Sequence, residues 1–131
     1  DAMAKNQADF TLTFRHLSDA AGDDAADKVR DQLTDPAAFD EWATRWRKRL
    51  TDEPQSAAER QAAMRAVNPA FIPRNHRIEE AIRAAEDHND FAPFHRLAEV
   101  LSNPLEDQPD HKDLQLPPRP EQRVTKTFCG T

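Results

Sequence analysis

Apolar residues recur every three or four positions along most of this chain, and prolines punctuate the pattern. Phe10, Phe14 and Leu17 stand at i, i+4 and i+7, which is one face of a short helix with Asp9 placed to cap it. A turn is predicted over 18–24, where Gly22 supplies permissive backbone. A weaker helix over about 24–33 then aligns Ala26, Val29 and Leu33. The clearest helix lies in TDPAAFDEWATRWRKRL. Phe39, Trp42, Ala43, Trp46 and Leu50 make a single stripe, with Asp35 at the N-cap and Pro36 at the first helical position.

Pro54 breaks the pattern, and SAAE restarts it as a capping box between Ser56 and Glu59. That helix is predicted to run to about Val67. Asn68-Pro69 and Pro73 are further stop-and-start signals. The next helix carries Ile78, Ala81, Ile82 and Ala85 on one side. EDHND is a turn, and Asp90 caps a helix whose expected inner face is Phe91, Phe94, Leu97, Ala98 and Leu101, with Pro93 tolerated in its first turn. From Asn103 onward the periodicity stops, and Pro104, Pro109, Pro117, Pro118 and Pro120 predict an extended segment without helix or sheet.

The predicted fold is all-α: an irregular bundle of five to six short helices with a long, extended, Pro-rich C-terminal tail. Residues 1–8 read as an N-terminal extension or cloning remnant, 9–102 as the helical domain, and 103–131 as the tail. Composition agrees. Tyrosine is absent, and alanine and leucine dominate the apolar set, which favours helix over strand. The apolar share is 37%, so the expected core is thin.

A net charge of -6 speaks against a nucleic-acid binder and against docking on an anionic membrane. No apolar run approaches the ~20 residues of a spanning helix. A single cysteine cannot form an internal disulfide, so a reducing compartment is expected: cytoplasmic, or mitochondrial in a eukaryote. Only two glycines occur, Gly22 and Gly130, which leaves no phosphate-cradling loop. HExxH, CxxC and GxSxG patterns are also missing. His16, His76, His88, His95 and His111 are nowhere three or four apart, and the carboxylates are scattered. Catalytic, cofactor-binding and metal sites are therefore not expected on this stretch.

Two clusters have ordinary explanations. The Phe39/Trp42/Trp46 stripe has the spacing of a buried helix face. Arg45, Arg47, Lys48 and Arg49 occupy the last turns of their helix, where cations complement its dipole. Cys129 is different. It lies between Phe128 and Gly130 in a polar tail near Lys126, so it is the redox candidate of the chain.

The segment NPAFIPRNHRIEEAIRAAEDHNDFAPFHRLAEVLSNPLEDQP resembles the C-terminal part of the selenoprotein O family. The resemblance rests on Asn68, Pro69, Arg74 and Asn75, then the Ala- and Glu-rich run 79–86, then Asn103 and Pro104. PAAFDEWATRWRKRL and DFTLTFRHLSD are similar to upstream family segments. Family members end in a Pro-Pro pair and a cysteine or selenocysteine third from the last position, matched here by Pro117, Pro118 and Cys129. Arg119 and Pro120 replace the usual Trp after the pair, and Gly130 and Thr131 replace the usual serines.

The resemblance implies a parent protein with a kinase-like fold. Such proteins bind ATP with Mg²⁺ and transfer AMP to hydroxyl side chains of other proteins. The nucleotide- and metal-binding residues belong upstream of this stretch. The chain's partners are then the upstream kinase-like catalytic region of the same protein and, for the parent, protein substrates. The stretch itself is inactive, with structural and redox-regulatory roles. Asn68 is expected to cap a turn, and Arg74 or Asn75 to bond backbone groups between helices. The competing reading is an independent helical protein-interaction module without catalysis. A Gly-rich loop, a strand lysine and an Asn/Asp metal pair in the upstream reading frame favour the first reading.

Overall fold

The computed structural model describes residues 2–22 and 26–126. Every regular element among them is helical. They are α1 (Ala2–Lys5), α2 (Phe10–Ala20), α3 (Asp27–Arg30), α4 (Pro36–Thr51), α5 (Ala57–Arg65), α6 (Asn75–His88) and α7 (Ala92–Ser102), followed by 3₁₀ turns at Pro109–Gln115 and Pro120–Gln122. No helix among the described residues is long and apolar enough to cross a membrane. The chain forms two units, Asp1–Pro69 and Ala70–Thr131. The boundary falls at Asn68-Pro69, inside the stretch 9–102 expected as one domain.

In the first unit, α2 packs on α3 and α5, and α3 on α4. Leu17, Ala26, Val29, Phe39 and Ala43 form the core, with Phe14, Leu33, Trp46 and Met64 packed around it. Local caps start the helices where the sequence places them. Asp9 Oδ1 accepts the Leu12 N–H at 2.9 Å, and Asp35 Oδ1 accepts the Ala37 N–H at 3.0 Å. Ser56 and Glu59 complete their reciprocal box, Glu59 Oε2 accepting the Ser56 N–H at 2.8 Å. That bond, with a second from the Ser56 hydroxyl, holds the Glu59 carboxyl below its ordinary pKa. Helix α5 ends at Arg65, two residues before the expected stop.

Three details of this unit differ from the sequence reading. Residues 2–8 are folded in: buried Asn6 accepts the Asp35 N–H on Oδ1 at 2.8 Å, and its carbonyl accepts the Thr34 hydroxyl at 3.0 Å. Trp42 stacks on Trp46, with centroids 5.3 Å apart, but remains 37% exposed, so the buried part of the stripe is Phe39 and Ala43. Gly22 is required by close packing, since a Cβ there would lie 2.7 Å from Gln61 Cδ.

In the second unit α6 packs on α7. Its core is Ala70, Phe71, Val100 and Leu114, flanked by Leu97 and Leu101. Phe91 and Phe94 are 50% and 54% exposed, so the inner face of α7 runs through Leu97, Val100 and Leu101 and not through the aromatic pair. Asn89 ends α6 in the left-handed region at φ 52°, which asparagine tolerates better than most residues. The segment after Asn103 also departs from the expected helix-free course. Residues 109–115 wind into 3₁₀ turns because Leu114 is drawn into the core, and burying its side chain offsets the entropy of ordering the strap.

Candidate functional site

Arginines in the first unit meet the C-terminal ends of helices. Four carbonyls at each helix end lack intrahelical partners and carry partial negative charge. Arg15, only 4% exposed, donates through Nη1 to the carbonyls of Arg65 at 3.3 Å and Asn68 at 3.1 Å, where α5 ends. Arg60 donates to the carbonyls of Ala21 at 3.2 Å, Leu50 at 2.9 Å and Gln55 at 3.1 Å. One planar fork thereby ties the ends of α2 and α4 to the loop before α5. Arg65 Nε bonds Asp19 Oδ1 at 2.9 Å. Asn68 folds back on α5, its Nδ2 donating to the Met64 carbonyl at 2.9 Å and to Ser18 Oγ at 3.3 Å.

The second unit uses the same chemistry. The Pro104 carbonyl accepts the N–H groups of Ala70 at 2.8 Å and Phe71 at 3.1 Å. Gln108 Nε2 donates to the carbonyls of Val100 at 3.0 Å and Asn103 at 3.1 Å, closing the end of α7. Arg96 pairs with both carboxylate oxygens of Asp113, and its Nε donates to His111 Nδ1 at 3.1 Å. Arg77 donates to the Asp113 carbonyl at 2.9 Å and to Glu80 Oε2 at 2.8 Å. The Arg96 bonds hold the Asp113 carboxyl below its ordinary pKa and raise that of the guanidinium.

Asn68 and Pro69 lie in the first unit, and Arg74, Asn75, Asn103 and Pro104 in the second. Arg74 is buried at the N-cap of α6, and Asn75 is exposed as that helix's first residue. Cys129 lies outside the described residues. The sequence reading missed Arg15, Arg60 and Arg96. The one local signal was Arg15 standing three residues after Leu12 on the inner face of α2, and a surface arginine gives the same signal. Among the described residues, no group of three or more His, Cys, Asp or Glu side chains could hold a metal ion. No chemical step is assigned to the described residues.

Arg15, Arg60, Asn68 and Gln108 thus tie off backbone carbonyls at helix ends within this all-helical protein. The family model described as protein adenylyltransferase SelO matches residues 1–102. The chain belongs to that family. It is 66% identical over 131 residues to the protein nucleotidyltransferase YdiU of Bradyrhizobium diazoefficiens, covering 100% of this chain and 27% of that protein. The YdiU protein of Rhodopseudomonas palustris strain BisB5 is 63% identical, covering 99% of this chain and 27% of its own length. That of Rhizobium johnstonii is 56% identical, covering 98% and 26%. The chain thus spans about a quarter of the length of these relatives.

Proposed function

We infer that this chain is the C-terminal helical portion of a protein adenylyltransferase. The whole protein binds ATP with Mg²⁺ in a kinase-like catalytic region and transfers AMP to hydroxyl side chains of other proteins. This portion supports that region without reacting itself. Asn68, Pro69, Arg74, Asn75, Asn103 and Pro104 serve as structural positions, and Cys129 as a redox-regulatory one. The partners are the upstream catalytic region and the protein substrates, with no role for nucleic acid or membrane, in the cytoplasm. The observation that carries this reading is identity of 66% to a protein nucleotidyltransferase over the whole chain, which makes up 27% of that relative.

The test compares the 131-residue chain with the whole protein that contains it. Calorimetry and AMP-labelling of protein substrates should give Mg-dependent ATP binding and AMP transfer for the whole protein, and neither for the chain alone. Tight, Mg-dependent ATP binding by the chain alone would overturn the reading. The competing interaction module predicts no AMP transfer in either case.

A further inference from the structure

Helix α5 carries its polar side inward and its apolar side outward. None of its residues is buried. The side that meets α2 holds Arg60, Gln61 and Arg65. Arg60 bonds the Ala21 and Leu50 carbonyls. Gln61 Nε2 donates to the Asp19 carbonyl at 3.3 Å, and Arg65 bonds the Asp19 carboxylate. Met64 is the residue of this helix that reaches the apolar core. Ala58, Ala62, Ala63, Ala66 and Val67 are exposed, on the helix and on the turn that ends it. Ala58, Ala62 and Ala66 stand at i, i+4 and i+8, and Ala63 and Val67 at i and i+4, so they form two adjacent rows on one face.

Alanine on a helix surface is explained by helix propensity alone. Val67 is not, and it is 74% exposed. It stands at a hollow of about 360 Å³ that is also lined by Trp46 and Leu50 of α4 and by Ala63 and Met64 of α5. The alanine rows beside the hollow are shallow, which lets a second helix approach to about 8 Å between axes. The edge of the hollow is basic. Arg49 and Arg60 line it, and Glu53 pairs with both, at 3.6 and 3.7 Å, so the charge of Glu53 is offset. Lys48, next to Arg49 on α4, is exposed as well.

We propose that this face of α5 docks a helix from the catalytic region of the whole protein, with one large apolar side chain of that helix seated in the hollow and a carboxylate beside it set against Arg49 and Lys48. On the reading of the chain as one portion of an adenylyltransferase, this is the surface that holds the catalytic region. The matched stretch makes up 27% of the Bradyrhizobium diazoefficiens relative, so most of that protein's length lies outside it. A helix in the remainder is tethered to α5 by the same backbone and meets it at high effective concentration, ahead of any separate protein. The basic edge selects a helix with an acidic flank, because like charges across a contact are costly.

The experiment uses the whole protein in two variants. In Ala62→Cys, maleimide labelling of the new thiol, read by mass spectrometry of its peptide, should be at least about tenfold slower than in the urea-unfolded protein. In Val67→photo-leucine, which carries a small diazirine, irradiation should join position 67 to a peptide from the catalytic region in a species of monomer mass. Labelling of Ala62→Cys at close to the unfolded rate overturns the proposal. A cross-link to a second copy, to peptides of this chain only, or to water only overturns it as well. Either variant decides alone if the other does not fold. AMP transfer is measured alongside. A protected thiol and a catalytic-region cross-link in a protein that transfers no AMP sustain the docking surface and refute the adenylyltransferase reading. An active protein with an unprotected thiol does the reverse.

Discussion

Arg96 on α7 grips Asp113 of the strap that follows it through two hydrogen bonds, Nη1 to Oδ2 at 2.9 Å and Nη2 to Oδ1 at 2.6 Å. The pair holds a Pro-rich segment against the helices, and it also gives that attachment a pH dependence. Asp113 has its carboxyl pKa lowered, first by the Arg96 bonds. Its contribution is therefore complete above the ordinary carboxylate value of about 4 and is lost as pH falls through the lower folded value. Both side chains are more than a third exposed, so the contribution is at most about 1 kcal/mol. Asp113→Asn should lower stability slightly at neutral pH, and the gap from wild type should close in thermal melts below about pH 4. A gap that is constant with pH would show that the ion pair does not hold the strap.

Leu114 should matter more than its ion-paired neighbour. It is a core residue, 7% exposed. Leu114→Ala removes buried methyl groups and leaves a cavity, at a cost of about 2–4 kcal/mol. Hydrogen exchange should quicken across residues 109–116 before it quickens in α6. Unchanged protection there would mean that the strap is held by its polar bonds alone.

Arg60 bonds three carbonyls from three segments. Arg60→Ala strands them, and chemical denaturation should report a loss of about 2–3 kcal/mol. Arg60→Lys should not restore it, because a single ammonium cannot reproduce the planar fork. The control is Arg45→Ala, which removes only an exposed pair with Glu41 and should fall within about 0.5 kcal/mol of wild type.

His76 gives a second pH dependence. Its folded pKa is lowered, chiefly by burial, so the unfolded chain takes up the proton first. Stability should therefore decline as pH drops through the ordinary histidine value of about 6.5. His76→Gln should flatten the dependence between pH 7 and 5. An unaltered slope would assign it to another group.

Cys129 is tested in the whole protein. If it is the regulatory thiol, oxidation by a small disulfide joins it to a second thiol of the protein; the oxidant's S–S bond breaks, and it leaves as two small thiols carrying the two electrons and two protons. AMP transfer should then depend on reductant in wild type and not in Cys129→Ser. Equal responses in the two proteins would remove the terminal cysteine from regulation.

Helix starts were legible in the sequence because a cap is local. Asp9, Asp35 and the Ser56–Glu59 box each bond backbone within three residues, so spacing alone reveals them. The all-α fold was legible for the same reason, from periodicity and proline punctuation. The inverted setting of α5 was not, because it depends on Arg60 and Arg65 finding acceptors at Ala21 and Asp19, up to 46 residues away in the chain.

The sequence by itself determined the helical segments that become α2 to α7, where most of them begin, and the motif residues that mark the family; it did not announce α1 or the 3₁₀ turns after Asn103. Only the tertiary structure decided which face of α7 turns inward, leaving Phe91 and Phe94 exposed and burying Val100. It alone decided that Arg15 and Arg60 are anchors and not surface charges. Their acceptors are backbone carbonyls up to 53 residues away. A carbonyl carries no residue identity, so no sequence pattern can announce which arginine will find it.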